Sequence, residues 1–201
     1  MKKCELADRL KNACAALVES EKELTEIDAK FGDADHGLTM VKIAGAISKA
    51  VDAAEGGIQS LLDDVAMEVM VLNGGSAVPL WNSWLDGMQE AAPEGDKVDV
   101  PGLKAIFASG FESLDDMSGA KKGDKTMMDA LIPATQAIAD YAGNDEAELF
   151  RLAAEAAEQG AEDSKQYVAK FGRAKSYGEK TIGTPDAGAV SMSRFFRGLA
   201  N

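Results

Sequence analysis

"AKFGDADHGLTM", residues 29–40, falls where one helical pattern ends and the next begins, and it concentrates charge at that break. Asp33 and Asp35 are one residue apart and abut His36, the only histidine of the chain, while Asp28 lies five positions before Asp33. On a continuous helix, positions 28 and 33 would point about 140° apart and could share no ligand. Gly32 offers a left-handed residue that ends the helix and redirects the chain. If the turn beyond it is extended, Asp33 and Asp35 project to the same side, and Asp28 converges on them from the last helical turn. Three carboxylates so close repel by several kcal/mol at an intermediate dielectric. A hard divalent cation relieves that conflict, and the all-oxygen set suits Mg²⁺, Mn²⁺ or Ca²⁺. The competing reading is a solvated turn whose aspartates, Asp35 above all, cap the following helix. A calcium EF-hand loop fits poorly, because Ala44 stands where the closing glutamate belongs. Zinc is disfavoured by one histidine and two distant cysteines.

Outward from this turn the chain reads as helix. Leu6, Leu10, Ala13 and Leu17 form one helical stripe. Similar patterns restart after each Gly, Pro or Asn break. The expected helices span about 3–28, 37–54, 57–72, 75–91, 101–116, 124–142, 144–169 and 187–200. Short turns between about eight helices imply antiparallel neighbours, hence an all-α bundle or closed barrel in a single domain over residues 1–201. One stretch breaks the rhythm. "KFGRAKSYGEKTIGTPDAG", residues 170–188, is long, polar and rich in glycine, which marks a functional or mobile connection.

With 46% hydrophobic and 27% charged residues the composition is that of an ordered globular protein. A net charge of −13 argues against nucleic acid, and it repels nucleotides too unless a cation or a cluster of donors intervenes. "MKKCELADRLKNACAALVES" lacks the apolar core of a signal peptide and reads as an amphipathic helix. No apolar run has the length of a membrane span. Cys4 and Cys14 belong to no metal or redox motif, so reduced thiols in the cytoplasm are expected.

Directly after the acids, "HGLTM" opens a helix whose free amides and dipole favour an anion. "LNGGSAVPLW", residues 72–81, places Gly74, Gly75 and Ser76 before another helix as a second cradle, or merely a break. "GAKKGDKTMMD", residues 119–129, superficially resembles a P-loop, but Asp124 separates the glycine from Lys125 and no strand precedes it. Met127 and Met128 read as core or as ligand contacts. Arg173 is either a solvated charge or a donor to a phosphoryl group.

Taken together, "DAKFGDADHGLTM", "GDKTMMDALIPA", "GRAKSYGEKTIG" and "DAGA" resemble, in order, the nucleotide-binding L subunit of dihydroxyacetone kinases. The resemblance implies a closed barrel of antiparallel helices with the nucleotide, ADP or ATP, at one end. It implies that Asp28, Asp33 and Asp35 hold two Mg²⁺ ions against the phosphates, and that His36, Gly37, Leu38 and Thr39 contact the phosphate side. Ser76 and Ala77 would line the second cradle, Gly119 and Met127 would border the base, and Arg173, with Asp186, Ala187 and Gly188, would close the site. Arg173 would be the catalytic donor. A partner K subunit would hold dihydroxyacetone, or a similar hydroxyketone, through its own histidine. A phosphocarrier protein would rephosphorylate bound ADP in the phosphotransferase-linked branch, towards which a free-standing chain points; exchangeable ATP serves the other branch. Two departures stand out. Relatives place a serine and then a glycine where this chain has Ala77 and Val78, and valine suggests an altered loop. The 119–126 loop is also one residue shorter than in many relatives. Those departures keep open a non-catalytic Mg-nucleotide-binding module, or a kinase subunit for another small sugar.

Overall fold

The apolar stripe of the first segment is buried: Leu6, Leu10, Ala13, Cys14 and Leu17 all face inward from α1 (Lys3–Glu19). The same logic repeats through the computed structural model, which describes residues 1–201. After α1 come α2 (Glu21–Asp28), α3 (His36–Ala53), α4 (Ile58–Met70), α5 (Ala77–Glu90) and α6 (Val100–Ser118). Then follow α7 (Met128–Asp140), α8 (Glu146–Asp163) and α9 (Ala187–Ala200), with 3-10 segments at Ser164–Gln166 and Arg173–Thr181. There is no β-strand, only one isolated bridge between Lys2 and Lys97. Helix ends follow local chemistry. Asp99 caps α6 by accepting from Gly102 N at 2.9 Å, and Gly119 ends that helix in the left-handed region.

The helices close into a ring. α1 packs on α3, α3 on α4, and so on to α8 on α9, which returns to α1; α2 packs on α3 and α9. Inside the ring a cluster of 50 buried residues forms one core. Its centre is aromatic: Trp84 meets Trp81 edge-on at 5.6 Å between ring centres and Phe195 at 5.4 Å, with Phe107 and Phe196 alongside. Because sequential neighbours in such a ring run antiparallel, alternate connections emerge at the same end. Connections 29–35, 71–76, 119–127 and 164–186 share one end. The other end is tied together by Met1, whose amino group donates to Val98 O and Glu146, and by Lys3 Nζ on Ala54 O and Gly56 O. No helix is long and apolar enough to cross a membrane.

Three expected boundaries differ. The helix expected over 3–28 breaks at Ser20, whose Oγ donates to Ala16 O at 2.8 Å and whose N–H is shared between Ala16 and Leu17 carbonyls. Residues 124–127 are not helical, because Lys125 has a left-handed backbone (φ 61°), so α7 starts at Met128. α8 stops at Asp163, and the polar stretch 170–188 contains a 3-10 segment kinked at Gly178 (φ 55°, ψ −130°).

Candidate functional site

The four connections at one end surround a cleft of about 300 Å³. Asp28 ends α2, and Asp33 and Asp35 follow in the turn to α3; one carboxylate oxygen from each lies within 4.8 Å of the others. The convergence is achieved differently from the expected route. Gly32 is not left-handed; Ala34 is (φ 61°), and an alanine held there costs about 1 kcal/mol. Gly32 is needed for space, since a Cβ on it would run into the Asp28 carboxylate. Asp35 does not cap α3 with its side chain. That task falls to Asp28, whose Oδ2 accepts from Asp35 N at 3.1 Å and His36 N at 3.4 Å. The Asp35 carboxylate is thereby left free beside its two neighbours.

The nearest cation in the protein is the Arg173 guanidinium, 2.7 Å from Asp33 Oδ2. Arg173 opens a 3-10 segment after Gly172, and Tyr177 of that segment packs on Phe31 at 5.2 Å between ring centres. The late loop therefore touches the acidic turn twice. The three acids, a glycine cradle that a Cβ would fill, and a guanidinium already drawn to the cluster fit a hard divalent cation.

Next to the acids, the N–H groups of Gly37 and Leu38 at the start of α3 find no acceptor in the protein. Those of Gly75, Ser76 and Ala77 at the start of α5 are likewise unclaimed. Two helix starts with unpaired donors flank the acidic turn, the arrangement that receives phosphate. Val78 turns away from the cleft. It is buried in the first turn of α5 and packs on Gly74, so the expected alteration of the loop by a valine is not seen as a strained backbone.

His36 is a strut. Ser191 Oγ donates to Gly188 O at 2.9 Å, which leaves it to accept from His36 Nε2 at 3.0 Å; the tautomer is assigned from this network. Burial holds His36 below the ordinary imidazole value, against the pull of Asp28 and Asp35. Opposite, Asp186 caps α9 by accepting from Ala189 N at 2.8 Å. Burial raises its carboxyl to about 7, with Asp129 adding to the rise and the Ala189 amide and Lys125 opposing it.

Of the residues named from sequence, Asp28, Asp33, Asp35, His36, Thr39, Ser76, Ala77, Met127, Arg173, Asp186, Ala187 and Gly188 line this cleft. Gly37, Leu38 and Gly119 do not. Gly37 is packed against Glu21 and Thr25 of α2, Leu38 points to solvent at 52% exposure, and Gly119 serves as the C-cap of α6. Sequence reasoning missed Phe31, Trp81, Lys125 and Pro185 as cleft walls. Lys125 carries one local signal, its place in "GAKKGDKTMMD", which resembles a P-loop only superficially.

A helical ring with three converging carboxylates between two helix starts with unpaired amides offers oxygen ligands for a cation beside donors for an anion. The chain belongs to the DAK2 domain family, whose model matches residues 30–201. It is 34% identical over 191 residues to D-erythrulose kinase of Mycolicibacterium smegmatis, covering 92% of this chain and 33% of that protein. It is 31% identical over 181 residues to the ADP-binding subunit DhaL of the PEP-dependent dihydroxyacetone kinase 2 of Listeria innocua, covering 88% of this chain and 84% of the relative. The chain thus spans about a third of the erythrulose kinases and most of the DhaL subunit. The dihydroxyacetone kinase of C. freundii in complex with AMP-PNP and Mg²⁺ superimposes with a TM-score of 0.72 at 26% identity, over 97% of this chain and 33% of that one.

Proposed function

We propose that this chain is the Mg-nucleotide-binding part of a kinase that phosphorylates dihydroxyacetone, or another small hydroxyketone such as erythrulose. The observation that carries the reading is the cage of Asp28, Asp33 and Asp35 lying beside the unpaired amides at the starts of α3 and α5. Two divalent ions, Mg²⁺ by preference, held by these carboxylates would supply the charge neutralisation that phosphoryl transfer requires. The chain's own residues do the rest. The amides of Ser76 and Ala77, which line the cleft, and the positive end of α3 orient the phosphates of ADP or ATP, and Arg173, leaving Asp33, donates to the transferring group as the catalytic residue. His36 fixes the gap between α3 and α9 rather than moving a proton, because its hydrogen-bond partner, Ser191, belongs to the fold.

The only histidine is committed to this strut. In this reading the acceptor is held by a K-type subunit, as the likeness to the DhaL subunits supports, and activity requires both. A phosphocarrier protein recharging ADP in place is the phosphotransferase-linked form of this reading, and the reaction belongs in the cytoplasm, where those partners are. The test is the purified chain with a K subunit and each hydroxyketone, with phosphocarrier or with free ATP as donor. Phosphorylated ketone forming only when both chains are present supports the reading. Native mass spectrometry that finds no ADP–Mg²⁺ adduct on the chain, even with both in excess, would overturn it.

A further inference from the structure

One wall of the cleft carries a charged group that the reaction above does not use. Lys125 is 4% exposed, yet its Nζ contacts no carboxylate within hydrogen-bond distance. It donates instead to two backbone carbonyls, Ser164 O at 2.6 Å and Thr184 O at 2.5 Å. Burying an ammonium on neutral acceptors is costly, and a chain selected for stability alone would do as well with an apolar side chain there. The backbone of Lys125 is itself left-handed, a second cost at the same residue. Burial lowers its basicity, and the nearby carboxylates of Asp186 and Asp129 work the other way.

What the two bonds join explains the expense. Lys125 stands on the α6–α7 connection, immediately before Thr126 and Met127, which line the cleft. Ser164 ends α8, and its Oγ accepts from Asp186 N at 2.9 Å. Thr184 leads into Pro185 and Asp186, the entry to α9. One ammonium therefore ties three separate chain segments, 39 and 59 residues apart, at a single point. Gly188 then meets Met127 closely, since a Cβ on Gly188 would lie 3.3 Å from Met127 Cβ. Leu80, Trp81, Met127 and Pro185 give the cleft apolar walls here. With phosphates at the acidic turn, this is where a nucleoside fits.

We propose that Lys125 is a positioning residue for the nucleoside half of the ligand: its ammonium clamps the Met127 wall to the Pro185–Gly188 wall and so sets the width of the base slot. This rests on the nucleotide-binding reading above. The test measures two probes on the full chain: ADP with Mg²⁺, and pyrophosphate with Mn²⁺, which lacks the nucleoside. For Lys125→Met the expected result is about tenfold weaker ADP binding with Mn²⁺–pyrophosphate within twofold of wild type. Hydrogen exchange should rise in residues 181–188 and stay unchanged in 29–40. Should Lys125→Met not fold, Lys125→Gln, which keeps two N–H donors, is read in the same way with a smaller loss. ADP affinity within twofold of wild type, or equal losses for both probes, overturns the clamp and leaves Lys125 as a fold residue. Wild-type protein that binds pyrophosphate but not ADP overturns the nucleotide reading itself, and the clamp with it.

Discussion

Gly32→Ala isolates the geometry of the cage. Gly32 has an ordinary φ, so the substitution adds no backbone strain; its whole effect is the new methyl, which would occupy the space of the Asp28 carboxylate and stand 3.0 Å from Asp28 O. To accommodate it, either Asp28 rotates away or the turn shifts. The first releases the amides of Asp35 and His36 from Asp28 Oδ2 and removes one carboxylate from the cage. The second displaces Asp33 and Asp35. Forcing one methyl into a filled site costs about 1–3 kcal/mol. If the cation-bound state requires the original geometry, a cost of about 2 kcal/mol appears as a roughly 30-fold loss of affinity. Mn²⁺ titration followed by electron paramagnetic resonance, in the presence of ADP, reads that loss directly, and circular dichroism checks that the helices persist. Affinity within twofold of wild type in a folded Gly32→Ala protein would refute the role given to Asp28.

Asp33→Asn should lower Mn²⁺ affinity by more than about tenfold and abolish retention of nucleotide through dialysis, while the helical dichroism stays unchanged. Arg173→Ala should leave Mn²⁺ affinity equal or up to about fivefold higher, because an exposed ion pair with Asp33 no longer competes, while turnover with the K subunit falls at least 100-fold. For Asp186 the folded carboxyl titrates near 7, above the unfolded 3.8, so its stabilising protonated form is complete below about pH 4 and lost as pH rises through 7. Asp186→Asn keeps an oxygen for the Ala189 amide, and its melting temperature should decline less than that of wild type between pH 4 and 7, with Asp129 and Lys125 the only other charges facing this position. Gly45→Ala, in the middle of α3 where a Cβ meets nothing within 4 Å, should raise stability by about 0.5–1 kcal/mol in urea titrations; a loss would contradict the open surface there.

The ring was legible because each helix carries its buried stripe locally. In α1 the stripe predicted from spacing is the buried stripe, and the same holds wherever a polar break separates two apolar periods. Breaks that depend on a single hydrogen bond were not legible. A serine such as Ser20 is common inside helices, and only the path of the chain towards α3 and α9 shows that its hydroxyl ends one helix and starts another. Lys125 illustrates the opposite failure. Its left-handed backbone is rare for a residue with a Cβ, and the carbonyls that receive its ammonium lie 39 and 59 residues along the chain, beyond any local pattern.

The site divides along the same line. The acidic trio is separated by seven residues at most, and local spacing was enough to bring it together, even though Ala34 rather than Gly32 supplies the left-handed residue. The partners that make the trio useful come from 155 residues away, as in His36 with Ser191, or from the late loop, as in Arg173 with Asp33. An antiparallel ring makes such meetings unavoidable: every second connection returns to the same end, whatever its distance in sequence. A helical ring therefore needs only glycine-bearing connections at one end to bring together three carboxylates, two helix starts with unpaired amides and the cleft between them. The opposite end is held by Met1, Lys3 and Glu146, none of which lines the cleft. Substitutions at that end should change the melting temperature without changing the affinity for Mn²⁺ or ADP, and a Glu146 variant that lost ADP at full folding would show that the two ends are coupled through the core.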